Sequence, residues 1–249
     1  MKPHIKNAMV FGATSAIATA YCRILAGRGG RLHLVGRNQE ALQNLASDLA
    51  LRGARTVSIS VADLCDTQRH EQLVNEAWEH LGTPELVLLA HGSLGTQIDM
   101  QTDWEQQGAL VQTNFVSHIS LLTILANKLE NQHGACLAAI SSVAGDRGRA
   151  SNYIYGATKA GLSCYLQGLQ NRLAPAGVRV VDLRLGPVDT PMTAGLQKGL
   201  LWSDPGQIAR GMDRKLAQVS GAVYLPAYWR FVMAMIRIMP DAVIRRFGI

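Results

Sequence analysis

Tyr155 and Lys159 stand four residues apart in the run Tyr155-Gly156-Ala157-Thr158-Lys159, and Ser142 lies thirteen residues before the tyrosine, at the end of the apolar run 135–141 (ACLAAIS). A four-residue spacing on a helix puts both side chains on one face. Ser142, at the end of a strand, falls at the edge where α/β sheets bind ligands. A phenol of ordinary pKa, ~10, is a poor acid and base at neutral pH unless a neighbouring cation favours the phenolate, and Lys159 is placed to supply that cation. Ser142 is then a hydroxyl suited to hold a substrate oxygen. The chemistry these three groups share is proton transfer to or from oxygen. Tyr153, six residues from Lys159, projects from a different face and is set aside.

A second constellation lies near the start. The run 7–11 (NAMVF) leads into Gly12-Ala13-Thr14-Ser15-Ala16-Ile17-Ala18 and then a helical segment. A strand, a tight small-residue turn and a helix N-terminus make a phosphate cradle, because free N–H groups and the helix dipole both face the anion. Only Gly12 is a glycine here, and the same small residues also allow a helix to pack closely on a strand; both readings stay open. The next run, 31–36 (RLHLVG), ends at Gly36-Arg37-Asn38. An acidic side chain at that end binds a ribose 2′-hydroxyl and a basic one accommodates a 2′-phosphate, so Arg37 favours NADP over NAD. Val61-Ala62-Asp63-Leu64 closes the third run with a carboxylate placed to accept from an adenine amino group, although an Asp opening a turn is equally ordinary. Cys22, Cys65, Cys136 and Cys164 have no metal-ligand spacing and read as reduced thiols; no metal is expected.

The elements that must position these groups are legible as alternation. Aliphatic or β-branched runs at 7–11, 31–36, 55–61, 85–90, 135–141, 178–185 and 221–225 are separated by segments of helical period, as in β-α units stacked around a parallel sheet. In 38–52, Asn38 is suited to cap, Leu42, Leu45 and Leu49 recur at helical spacing, and Gly53 stops the helix. With 249 residues, 48% of them hydrophobic and 17% charged, the chain can bury a substantial core, which excludes disordered and collagen-like classes. There is no repeat or linker, so residues 1–249 are read as one domain. Of the formal net charge of +6, Arg230, Arg237, Arg245 and Arg246 against Asp241 give the last 28 residues +3. No basic stripe with interleaved aromatics marks a nucleic-acid face. The opening MKPHIKNAMVFG has no apolar h-region, and a cytoplasmic protein is the default expectation.

In order and spacing these features resemble the short-chain dehydrogenase/reductase family, in its single-domain branch. The resemblance rests on the Gly12 loop, Asp63, Asn114 in Thr113-Asn114-Phe115, Ser142, Tyr155-x-x-x-Lys159 and Gly186-Pro187-Val188-Asp189-Thr190, and covers roughly 7–191. It implies a Rossmann-type doubly wound parallel sheet of about seven strands with helices on both faces. It also implies interconversion of a ketone and a secondary alcohol, with NADP (NADPH) as the preferred cofactor. Tyr155 then transfers the proton, Ser142 positions the oxygen, Lys159 binds the nicotinamide ribose, and Asn114 helps to hold a relay water. Gly12, Thr14, Ser15, Ala16, Ile17, Arg37, Asp63, Leu64, Ala90, Gly92, Tyr155, Lys159, Val188 and Thr190 are the implied cofactor contacts. The partners implied are a small carbonyl or alcohol substrate and further copies of the chain, as a homodimer or homotetramer through 101–127 and 151–173. The chain departs from the pattern at Ala16 and Ala18, where glycines are usual, at Leu89-Ala90-His91-Gly92, where Asn side chains are lost, and at Leu185 in place of a proline. His91 is read as structural.

Residues 187–220 are expected to form a substrate lid, with a helix starting near Ser203-Asp204-Pro205 and an apolar surface from Met192, Leu196, Leu200, Leu201 and Trp202. Residues 227–249 read as an apolar, basic helical tail broken near Pro240. Such a tail suits peripheral contact with the inner face of a membrane, a subunit interface, or packing on its own chain. It is weakly similar to the tails of family members that act on lipid-linked substrates. Two further readings stay beside the enzyme: a non-catalytic regulatory or scaffold protein that binds NADP, and a membrane-docked subunit that needs a partner enzyme.

Overall fold

In the computed structural model, residues 4–243 are described; the last six residues of the tail, with Arg245 and Arg246, lie outside them. Strands apolar on both faces require helices on both faces. Accordingly β1 (Asn7–Phe11), β2 (Arg31–Gly36), β3 (Thr56–Val61), β4 (Leu86–Leu89), β5 (Cys136–Ser142), β6 (Arg179–Leu185) and β7 (Gly221–Leu225) form one parallel sheet in the order β3-β2-β1-β4-β5-β6-β7. Alternate residues of β1 serve opposite layers: Ala8 and Val10 enter one core, Met9 and Phe11 the other. The winding reverses between β1 and β4, which opens a crevice at their C-terminal ends.

One layer holds α1 (Ala16–Ala26), α2 (Gln39–Leu51) and α8 (Pro205–Leu216); the other holds α3 (His70–Leu81), α6 (Ser117–Leu129) and α7 (Tyr153–Leu173). In α2, Asn38 accepts the Ala41 N–H at 2.9 Å, Leu42, Leu45 and Leu49 are buried, and Gly53, at φ +103°, turns the chain towards β3. Each buried leucine contributes roughly 1.5–3 kcal/mol relative to an exposed one. Between β4 and α6 lie α4 (Gln97–Thr102), α5 (Trp104–Val111) and a π-helical turn, Gln112–Val116. The continuous helix Trp104–Leu129 is long and apolar enough to cross a membrane, but Leu121, Leu122, Leu125 and Leu129 are buried in the core beside α3 and α7.

The segment 187–220 divides in two. Asp204 caps α8 through the Gln207 N–H at 2.9 Å, Pro205 takes the first helical position, and Ile208, Ala209, Met212 and Leu216 pack against α1. An ion pair of Arg28 with Asp213, at 2.5 and 2.7 Å, fastens the two helices. The remainder is a loop closed at its base, where the Asp189 N–H donates to the Ser203 carbonyl at 2.9 Å and the Ser203 N–H to Pro187 at 3.1 Å.

The described part of the tail folds onto its own chain. In α9 (Trp229–Ile238), Trp229 and Met233 are buried against Val143 and Tyr224, while Phe231, Met235 and Ile238 are exposed on the other side. Arg147 supplies the helix C-terminus with what it lacks, donating to the carbonyls of Ile236, Arg237 and Met239 at 2.8, 3.1 and 2.6 Å and pairing with Asp241. The helix ends at Met239, in extended backbone before Pro240. Removing the guanidinium in Arg147→Ala should therefore cost ~1–3 kcal/mol in chemical denaturation and speed tryptic cleavage within 227–243 relative to cleavage elsewhere.

Candidate active site

Ser142 ends β5 beside Leu185 of β6, and its Oγ accepts the Ala144 N–H at 3.1 Å. Tyr155 and Lys159 lie on the first two turns of α7. What brings the helix to the strand end is the absence of two side chains. A Cβ on Gly145 would stand 2.7 Å from the Ala160 nitrogen, and one on Gly156 would stand 2.8 Å from the Ala144 carbonyl oxygen. Backbone meets backbone there, and Tyr155 arrives beside Ser142. Tyr153 is exposed, as its spacing indicates.

The electrostatics differ from the expectation that Lys159 stabilises a phenolate. The Lys159 ammonium donates to the Ile140 carbonyl at 3.0 Å and lies 5.8 Å from the centre of the Tyr155 ring. Burial pushes the Tyr155 phenol up to about 12, with the Ser142 hydroxyl opposing, and pushes Lys159 down to about 8, with the Asp182 carboxylate opposing. In this arrangement the phenol keeps its proton and the ammonium is the group held near neutrality.

Asn114 is buried in the π turn, a distortion often found at functional sites. Its Oδ1 accepts the Ser93 N–H at 2.8 Å and its Nδ2 donates to the Ser93 carbonyl at 2.7 Å, so the side chain clamps the loop after β4. A Cβ on Gly92 would lie 3.1 Å from Asn114 Oδ1 and 3.6 Å from Lys159 Nζ. Asn114 therefore stands behind the cavity wall, not in it. The Thr113 carbonyl, beside the wide turn, accepts from Ser117 Oγ at 2.7 Å and His118 Nδ1 at 3.2 Å. His91 is braced by the same elements: its Nε2 lies 2.8 Å from Ser117 Oγ and its ring stacks on His118 at 3.8 Å. Burial and the Lys159 charge push His91 down to about 3, which keeps it neutral and structural.

The turn after β1 is shaped by His91 too. Gly12 has φ +76°, and a Cβ on it would meet the His91 nitrogen, Cα and Cβ at 2.5–2.8 Å. Ser15 caps α1 by accepting the Ala18 N–H at 3.2 Å, which leaves the N–H groups of Ala16 and Ile17 without helical acceptors. The Ala18 methyl is fully buried in the core, so of the two alanine departures only Ala16 faces the cavity. Leu185 continues the β6 ladder, and Gly186 follows with no room for a side chain, since a Cβ would lie 1.9 Å from the Trp229 indole nitrogen.

The ends of these elements enclose one cavity of about 620 Å³. Gly12, Thr14, Ser15, Ala16, Ile17, Arg37, Asp63, Leu64, Ala90, Gly92, Val188 and Thr190 are in its wall with Ser142, Tyr155 and Lys159. Arg37 makes no ion pair among the described residues and Ala16 and Ile17 offer free N–H groups, which suits a dinucleotide phosphate. Asp63 does open a turn, its Oδ1 accepting the Cys65 N–H at 3.0 Å, and Thr190 caps the Pro191–Thr193 turn. Met192, Leu196 and Trp202 line the far end, whereas Leu200 points to solvent. Sequence reasoning missed Arg149 and Asn152, both in the wall. The signal available was their position, polar residues inside the interval between Ser142 and Tyr155.

Residues 6–200 match the family model described as short chain dehydrogenase. The chain belongs to the short-chain dehydrogenase/reductase family. It is 34% identical over 244 residues to an uncharacterized oxidoreductase of Streptomyces coelicolor, covering 97% of this chain and 95% of that one. An uncharacterized oxidoreductase of Mycobacterium tuberculosis is likewise 34% identical over 238 residues, with 96% and 95% covered. In fold it is similar to an alcohol dehydrogenase from the archaeon Thermococcus sibiricus complexed with 5-hydroxy-NADP, with a TM-score of 0.78 and 21% identity over 88% of this chain and 95% of that one. The protein is accordingly an oxidoreductase of an NAD(P)-binding family.

Burial of Lys159 has a consequence for stability. Its pKa is about 8 in the fold against an ordinary 10.5, so the unfolded chain binds the extra proton between those values, and the folded state carries a penalty below pH 8 that fades as pH rises to 10.5. Lys159→Met should thus be more stable than the parent protein at pH 7, by a margin that shrinks between pH 8 and 10.5 when the two are compared by thermal unfolding.

Proposed function

We propose that this oxidoreductase is an NADP-dependent carbonyl reductase that interconverts a ketone and a secondary alcohol. The observation that carries the reading is the meeting of Ser142, Tyr155 and Lys159 at the middle of a single cavity whose wall also holds the Gly12 turn and Arg37. The chemistry supplied by a nicotinamide cofactor is hydride exchange with the carbonyl carbon. The remaining steps belong to this chain. Ser142 Oγ and Tyr155 Oη bind the substrate oxygen, and as negative charge develops there the phenol donates its proton. Burial keeps the phenol protonated and makes it a weaker acid, so its proton moves only as charge develops on the substrate oxygen. Lys159 holds the ribose end of the dinucleotide and a positive charge near the phenol, and Asn114 acts as a positioning residue through the Ser93 loop. Arg37, exposed and unpaired at the end of β2, suits a 2′-phosphate.

Catalysis distinguishes this reading from a scaffold that only binds the cofactor. Tyr155→Phe should lower NADPH-dependent ketone reduction at least 10³-fold while NADPH still quenches tryptophan fluorescence with nearly unchanged affinity; full activity in that variant would remove the mechanism. Arg37→Ala should weaken NADPH binding at least tenfold and leave NADH binding close to the parent value, a loss of ~1.5–3 kcal/mol for one charge-assisted contact. In the parent protein, kcat/KM for reduction should fall as pH rises through about 8, where Lys159 loses its proton in the free protein.

A further inference from the structure

The turn that links Ser142 to α7 carries three charged side chains close together, Asp146, Arg147 and Arg149. Two are fully committed. Asp146 accepts from Arg184 at 2.6 Å and from the Tyr224 hydroxyl at 2.7 Å, and Arg147 is spent on the carbonyls of α9 and on Asp241. The Arg149 side chain has no hydrogen bond or ion pair with any described residue, although it lies in the cavity wall and its Nε is buried. Burial also pushes its guanidinium below the usual arginine range. Three residues on, Asn152 lines the same cavity with its Oδ1 buried and unpartnered; its own N–H donates to the Arg149 carbonyl at 3.1 Å. Buried polar groups are nearly always satisfied, and two adjacent exceptions facing one cavity mark groups waiting for a ligand.

We infer that Arg149 forms a substrate subsite for an oxyanion, with Asn152 nearby as an acceptor for a donor on the same substrate, so that the ketone reduced at Tyr155 carries a carboxylate or phosphate group. This rests on the reductase reading and narrows its substrate class. A planar guanidinium pairs with such oxyanions in two-point fashion, and Asn152 Oδ1 accepts from a neighbouring hydroxyl or N–H of the same substrate. The charge balance of the cavity agrees. Its one carboxylate is Asp63, at the Arg37 end, and nothing acidic in the wall competes for Arg149. Met192, Leu196 and Trp202 in the same wall provide for an apolar remainder, which makes the substrate an amphipathic oxo acid or oxoalkyl phosphate.

The test uses the intact protein and three probes of one chain length: a 3-oxo fatty acid, its methyl ester, and a 2-oxoalkyl phosphate. Equilibrium binding is read from tryptophan quenching without cofactor, and kcat/KM from NADPH oxidation. At least one of the two anions should bind tenfold or more tighter than the ester; which one does identifies the oxyanion. The anion-to-ester ratio should fall at least tenfold in Arg149→Ala, mainly through KM, and be partly restored in Arg149→Lys. Equal binding of all three probes to the parent protein, or an unchanged ratio in Arg149→Ala, overturns the subsite. Failure of the reductase reading looks different: the anion preference persists in binding while no probe is reduced with NADPH.

Discussion

The contact on which the site depends is between two stretches of backbone. Where α7 crosses the turn after β5, the helix approaches so closely that neither Gly145 nor Gly156 has space for a methyl group. That closeness fixes the distance from Ser142, on the sheet, to Tyr155 and Lys159, on the helix. The sheet supplies Ser142 and the helix Tyr155 and Lys159, and main chain on main chain holds the two together. The same device recurs at the nucleotide end, where Gly12 lies against His91. Glycine acts at both ends by allowing approach.

Burial then decides protonation. Lys159 and His91 are buried in the cavity wall with His118 stacked behind, and desolvation holds both imidazoles neutral while drawing the ammonium down to about 8. Asn114 and the π turn complete the wall, exchanging helical regularity for a clamp on Ser93 and for a carbonyl, that of Thr113, shared by Ser117 and His118. Ser117 joins the two halves of this wall, bonded both to the Thr113 carbonyl and to His91 Nε2.

Much of this was legible in the sequence. Strand runs such as 7–11 and 31–36 coincide with β1 and β2 because inner parallel strands, buried on both faces, must be largely apolar, and Asn38 marks the start of α2 because few residue types can cap. The spacing of Tyr155 and Lys159 survives into three dimensions since a helix preserves periodicity. What spacing could not carry was long-range. It gave no means of knowing that α8 is anchored on α1 by Met212 and Leu216, or that Trp229 would turn inward over Gly186. The direction of the Tyr155 shift was missed for the same reason: proximity of a lysine is visible in sequence, whereas the depth at which both are buried is not. Arg149 escaped notice because an unpaired charge is defined by what surrounds it.

Arg147 joins parts of the chain that chemistry keeps apart. It springs from the loop that carries Arg149 and Asn152, yet its guanidinium closes the end of α9, about ninety residues later. Trp229 adds a second tether, from the same helix to Val143 and Gly186 at the cavity rim. The C-terminal helix thereby works as a splint for the substrate loop. A change in that splint reaches the loop of Arg149 and Asn152 through Arg147, and the turn after Ser142 through Trp229 and Val143.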